Sequence, residues 1–379
     1  FLAGAYAFWR LTGTFSTLDE FKFYLLTHEG ALLFVPRLVS AGFGVGTLIV
    51  TYKLGRLLFP QHRSTALWST ALLTFSITHL QSSHLAKPLM ASLFFSWLGL
   101  YYLVKSLIYT RWKISWLIIA ITSITIASGF YFLSLLYVGV FMWILLLYRH
   151  RITNYHNLIR VAALAIPIIG MWLYFKVRVY AYIPYHLEAW RVWKNYQEIG
   201  IFTGLKWYLK EIWLTEPWLT GGFLIGLLWW PKLPRPLRLL VPMLIANFLI
   251  VSFVFLQSAR YLLQTSIIAA LVGGFGITQV IRLVSKPFWI KSITFIIAIC
   301  LLIPPSIWLT RYLSTPTVIG TMDWINQNIP SSQTIAYLNT RSGPFAPGQR
   351  SIEFMQSYQP NVYGRLGAVL RAAEYPDTV

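Results

Sequence analysis

Three cations stand where an apolar chain has little reason to keep charge. Arg37 and Arg260 each open a long apolar run, and Lys87 sits in the short turn between two others. Arg or Lys at the centre of a hydrocarbon helix costs about 2.5–3.5 kcal/mol on insertion scales, so charge near the hydrocarbon marks a functional candidate. Arg grips phosphate oxygens through a bidentate fork and Lys attracts them as a point charge, so cations at one depth suit a phosphate or pyrophosphate headgroup. The competing reading is snorkelling of each side chain into the headgroup layer, which needs no ligand. His84 accompanies Lys87 in "SSHLAKPLM", where Pro88 suits the first turn of the next helix.

Asp19 and Glu20 are the one adjacent pair of acids. A carboxylate in an outer segment could act as a general base on a sugar hydroxyl. The same residues, in "STLDEF", also read as a helix start with Ser16 or Thr17 as N-cap and an acid in the first turn. The chain has no zinc-type spacing, phosphate-binding glycine loop or nucleophile elbow. No cofactor is indicated, and a divalent metal is left open. "GTLIVTYKLG" and "LVGGFG" read as sites where small residues let helices pack closely. The single Cys300, in an apolar run, reads as a small core residue.

The elements that must position these residues follow from composition. Over 379 residues the chain is 57% hydrophobic and 11% charged, where a soluble domain is roughly a quarter charged. Aromatic residues make up 17%, which suits two membrane interfaces. A spanning helix needs about 20 apolar residues, and ten stretches meet that loosely: Pro36 to Tyr52, Ser64 to Leu80, Leu89 to Val104, Ile114 to Ser128, Phe130 to Tyr148, Leu158 to Lys176, Ile212 to Trp230, Leu239 to Phe255, Leu262 to Ile281 and Ser292 to Thr310. Phe1 to Trp9 reads as the end of an earlier span, so the chain is expected to be a fragment.

Charge tests this partition. With ten spans, five loops on one side each carry three basic residues and no acid: Lys53, Arg56, Arg63; Lys105, Arg111, Lys113; Arg149, Arg151, Arg160; Lys232, Arg235, Arg238; and Arg282, Lys286, Lys291. All 11 acidic residues fall on the other side. The positive-inside rule makes the basic loops cytoplasmic. The net charge of +20 is thereby explained by topology rather than by nucleic acid. The outer segment Val177 to Glu211, with Trp190, Trp193, Tyr196, Trp207 and Tyr208 among Lys and Arg, reads as amphipathic helices on the membrane surface.

The run "VPRLVSAGFGVGTLIVTYKLGRLLFP", followed by "ALLTFSITHLQSSHLAKPLMASLFFSWLGLYYL", resembles the multispanning GT-C glycosyltransferases of the protein O-mannosyltransferase and aminoarabinose-transferase type, glycosyltransferase family 39. "SARYLLQTSIIAAL" resembles that family's late "RY" helix start, and "TMDWINQNIPSSQTIAYL" the opening of its extracytoplasmic tail. The resemblance implies an all-α polytopic membrane protein of about ten transmembrane helices with an extracytoplasmic C-terminal segment opening a small α/β domain. Residues 1–311 would form the transmembrane domain, its first helix and first outer loop incomplete, and 312–379 the C-terminal segment, also incomplete.

It further implies transfer of a sugar from a polyprenyl-phosphate donor to an extracytoplasmic lipid, glycan or protein, in the bacterial cytoplasmic (inner) membrane. Arg37, His84, Lys87 and Arg260 would face the carrier phosphate, with Tyr261 beside it. Two departures stand out. The family's catalytic acid lies far upstream of the position that Arg37 takes, so the base is expected before Phe1 rather than at Asp19 or Glu20. Where the family often has "ARPD", this chain has "AKPL", with Leu89 in place of an acid. Two rivals share the same anionic headgroup or scaffold: a transporter or lipid flippase, and an inactive GT-C-like protein.

Overall fold

A computed structural model describes residues 10, 17, 20, 21, 29–85, 87–108, 114–130, 137, 201–254, 259–284, 286–313, 327, 335–337 and 351–353. These residues are overwhelmingly helical. In chain order the helices are α1 (Glu29–Leu58), α2 (Arg63–Thr74), α3 (Ile77–His84), α4 (Leu89–Ile108) and α5 (Ile114–Phe130). Then come α6 (Ile201–Thr215), α7 (Pro217–Leu227), a 3-10 turn (Trp230–Lys232), α8 (Arg235–Val254), a 3-10 helix (Ala259–Thr265), α9 (Ser266–Leu283) and α10 (Pro287–Leu313).

Among the described residues, four stretches are long and apolar enough, by length and composition, to cross a membrane: Pro36–Leu58, Leu89–Ser106, Leu262–Leu283 and Pro287–Thr310. Ser115–Phe130 and Pro217–Leu227 are shorter apolar helices. In low dielectric each backbone polar group must be bonded within the chain, and the hydroxyls here follow suit. Thr47, Thr51, Thr70 and Thr74 each donate to the carbonyl four residues back, so they sit in apolar helices without a stranded donor.

The structure differs from the sequence reading at two expected spans. Ser64 to Leu80 is divided into α2 and α3, because Ser76 adopts extended backbone and its Oγ accepts from the His79 N–H, starting a new helix. Ile212 to Trp230 is divided between α6 and α7, with Glu216 as N-cap and Pro217 in the first turn. Phe130 to Tyr148 and Leu158 to Lys176 lie almost wholly outside the described residues. The C-terminal end of the aromatic-rich outer segment lies in helix α6, whose Tyr208 is buried against Val251 and Phe248 of α8. Lys206, Leu209, Lys210, Trp213 and Leu214 of α6 are exposed.

The helices meet in a core built on α9, whose residues Ser266 to Thr278 are buried almost throughout. It packs between α2 and α7, while α1 packs on α2, α3 and α4, and α4 on α5. Glycines make the closest crossings. A Cβ at Gly276 would lie 2.6 Å from the Gly226 nitrogen, and one at Gly55 would lie 2.9 Å from the Ala66 Cα. The small-residue runs seen in the sequence therefore do act as packing surfaces. In contrast, α10 buries little of its apolar surface.

The chain divides into two compact units, one of Phe1–Ala181 with Ile199–Pro305 and the other of Tyr182–Glu198 with Ser306–Val379. All the helix contacts above belong to the first. The second contains two short parallel strands, β1 (Ile335–Tyr337) and β2 (Ser351–Glu353), with Ile335 opposite Ser351 and Tyr337 opposite Glu353.

Candidate functional site

The ends of α2, α7 and α9 separate two chemically different regions. At one end, the loop after α1, the 3-10 turn Trp230–Lys232 and the C-terminus of α9 meet, bringing together three of the five basic loops read from the sequence. At the other end lies the short helix α3, which packs on α1, α2, α4 and the 3-10 helix Ala259–Thr265. This second region holds the expected site residues.

Its anchor is a carboxylate. Glu216, 8% exposed, accepts from the Ser76 hydroxyl at 2.8 Å and from the Thr78 backbone N–H at 2.6 Å. The first N–H groups of a helix have no partner within it, and they carry partial positive charge. Glu216 therefore closes the N-terminus of α3 through its side chain, while capping α7 from its own backbone position. One residue ties two helix starts together.

A seam of buried polar groups continues from there. The Gln264 carbonyl accepts from Trp97 Nε1 at 3.0 Å and from the Tyr137 hydroxyl. Gln264 Nε2 donates to Ser92 Oγ at 3.3 Å. These bonds fix the 3-10 helix against the first turns of α4. On the α1 side, the Ser40 hydroxyl donates to the Ser82 carbonyl at 3.3 Å. His79 is 2% exposed, and neither ring nitrogen has a hydrogen-bond partner among the described residues.

The expected residues fall around this seam. Arg37 is exposed, one turn before Ser40 on α1. His84 ends α3 and is exposed, as is Lys87, whose backbone N–H donates to the Leu85 carbonyl at 2.7 Å. Arg260 and Tyr261 lie in the 3-10 helix, four and three residues before Gln264. The elements bearing Arg37, His84, Lys87, Arg260 and Tyr261 thus all converge on α3, which the spacing in sequence did not dictate.

Asp19 lies outside the described residues. Glu20 pairs with Thr17. Its backbone N–H donates to Thr17 Oγ1 at 3.2 Å while the Thr17 N–H donates to Glu20 Oε2 at 3.3 Å, a reciprocal capping box.

Beside Glu216 is a cavity of about 260 Å³, walled mainly by apolar side chains that include Phe223, Leu244, Phe248 and Leu263. Thr265 and Ser266 add hydroxyls to its lining. Among the described residues no group of three His, Cys, Asp or Glu side chains could hold a metal ion.

Sequence reasoning placed Glu216 only among the outward-facing acids. The Glu-Pro step at a helix start was a usable signal for its capping role. Its partners, 138 and 140 residues earlier, were not visible from spacing. The chain matches no family model, and no curated protein or solved structure matches it.

Proposed function

We propose that this protein is a membrane glycosyltransferase of the GT-C kind, crossing the bilayer about ten times and moving a sugar from a polyprenyl-phosphate donor to an extracytoplasmic acceptor. The observation that carries the reading is the convergence on α3 of the segments bearing Arg37, His84, Lys87 and Arg260. Cations grouped there would stabilise the charge that grows on the departing lipid phosphate. The apolar cavity beside Glu216 supports the same reading, because an isoprenoid chain needs dry surface close to its charged head. Glu20 is committed to a helix cap and Glu216 to the start of α3, so neither is given the role of base.

The donor arrives already activated on lipid, so the site needs no nucleotide. The basic loops would face the cytoplasm and the α3 end the exterior of a bacterial inner membrane. Membranes containing the protein, supplied with a radiolabelled polyprenyl-phosphate mannose, are expected to transfer label to an endogenous acceptor. Arg260→Ala should lower that transfer about a hundredfold with membrane insertion intact, the loss typical of removing one charge-stabilising donor. Equal transfer by the variant removes Arg260 from the site. Movement of the lipid between leaflets with its sugar still attached would instead establish a flippase.

A further inference from the structure

The opposite end of the bundle holds a second cavity, of about 370 Å³, that the transferase reading does not use. Its lining includes His62 of the α1–α2 loop, Lys232 of the 3-10 turn and Arg282 of the last turn of α9. No carboxylate lines it among the described residues. Three nitrogen-bearing side chains therefore share one concavity without a counter-anion.

The geometry of His62 sharpens this. Arg282 Nη1 lies 3.0 Å from His62 Nε2. A guanidinium has only donors, so the imidazole nitrogen accepts and the ring proton resides on Nδ1. Nδ1 is buried and has no hydrogen-bond partner among the described residues. Stranding a donor in this way costs about 1–3 kcal/mol unless an acceptor arrives. Arg56 in the last turn of α1 and Arg238 in the first turn of α8 each bury an Nε that likewise has no partner among the described residues.

Apolar side chains share the rest of the lining with Gln61 and Gln279. Phe59 and Phe275 stack there with ring centroids 5.1 Å apart, and Leu58, Pro60 and Pro234 complete the wall. Inorganic anions need only the rim. A phospholipid would use both parts, its phosphate on the cations and its glycerol and first methylenes on Pro60 and Pro234.

We propose that this pocket binds a phosphate group, supplied by the headgroup of an anionic phospholipid. Basic pockets between membrane helices are suited to such headgroups, and Arg282 and Lys232 offer fork and point charge together. The pocket is separate from the α3 region, so lipid binding and sugar transfer are read independently.

The test is native mass spectrometry of the full chain, purified in nonionic detergent, with phosphatidylglycerol or phosphatidylcholine added. Phosphatidylglycerol should be retained as a 1:1 adduct and phosphatidylcholine lost. The pair Lys232→Gln and Arg282→Gln should weaken retention about 25-fold, taking roughly fivefold per cation. Millimolar inorganic phosphate should compete with the lipid. If phosphate binds and phosphatidylglycerol does not, the phosphate chemistry stands and its source is soluble. Retention of both lipids alike, unchanged in the double variant, overturns the site. Should the variant fail to fold, a photoactivatable phosphatidylglycerol on the unaltered protein decides: crosslinks to the peptides holding His62 and Arg282 support the site, and crosslinks elsewhere refute it.

Discussion

Glu216 concentrates the chemistry of its region in one side chain. Its Oε1 satisfies the Ser76 hydroxyl and the Thr78 N–H, both buried, at the point where a helix begins between apolar walls. A glutamine keeps an acceptor oxygen at that position and replaces the other carboxyl oxygen by an amide nitrogen. An alanine leaves two buried donors without a partner, each worth about 1–3 kcal/mol. Glu216→Gln is therefore expected to cost about 1 kcal/mol and Glu216→Ala about 2–4 kcal/mol, measured as thermal or denaturant unfolding of the purified protein in detergent. Equal losses in the two variants would mean that charge, not acceptor capacity, is what α3 requires. Sequence reading singled out Arg37, His84 and Lys87, all exposed, and Arg260 of the 3-10 helix, because a cation beside an apolar run is visible without a fold. The buried members were out of its reach. Gln264, Trp97 and Glu216 acquire their roles only from partners more than a hundred residues away.

Helices here meet through glycine, and the contacts rank the glycines sharply. A Cβ at Gly276 would press on the backbone of Gly226, whereas one at Gly221 would meet nothing within 4 Å. Backbone cannot swing aside as a side-chain tip can, so Gly276→Ala should cost about 1–3 kcal/mol through overpacking. Gly221→Ala should stay within about 1 kcal/mol of the parent, since alanine is the better helix former. Detergent melting curves of the two variants, side by side, provide the check, and matching midpoints would rule out close packing of α7 on α9. The small-residue runs were legible because small side chains at helical spacing have a mechanical meaning. The breaks at Ser76 and Glu216 were not, since hydropathy records how apolar a stretch is and not where its backbone hydrogen bonds change partner. Hydropathy therefore read α2 with α3, and α6 with α7, as continuous spans.

At the scale of the whole molecule, charge and shape are separate sources for one conclusion. The sequence reading expects acid and base on opposite sides of ten spans, and the described bundle brings the α1–α2 loop, the 3-10 turn and the last turn of α9 together at one end, around His62, Lys232 and Arg282. In the last turn of α4, Lys105 Nζ lies 4.6 Å from the centroid of the Trp116 ring, a cation–π contact. Glu216 and α3 lie at the far ends of α2 and α7. Sidedness is then a matter of which end faces the cytoplasm, and the positive-inside rule predicts the basic one. Single cysteines placed in a Cys300→Ser background test this directly with a membrane-impermeant maleimide on intact cells. Gln81→Cys and Leu85→Cys, both exposed at α3, should label from outside. Gln61→Cys and Lys286→Cys, exposed at the basic end, should label only after permeabilisation. All four labelling together would break the two-ended arrangement. The reverse pattern would keep the bundle and turn it over, placing the α3 cations in the cytoplasm, where transfer to an extracytoplasmic acceptor could not occur.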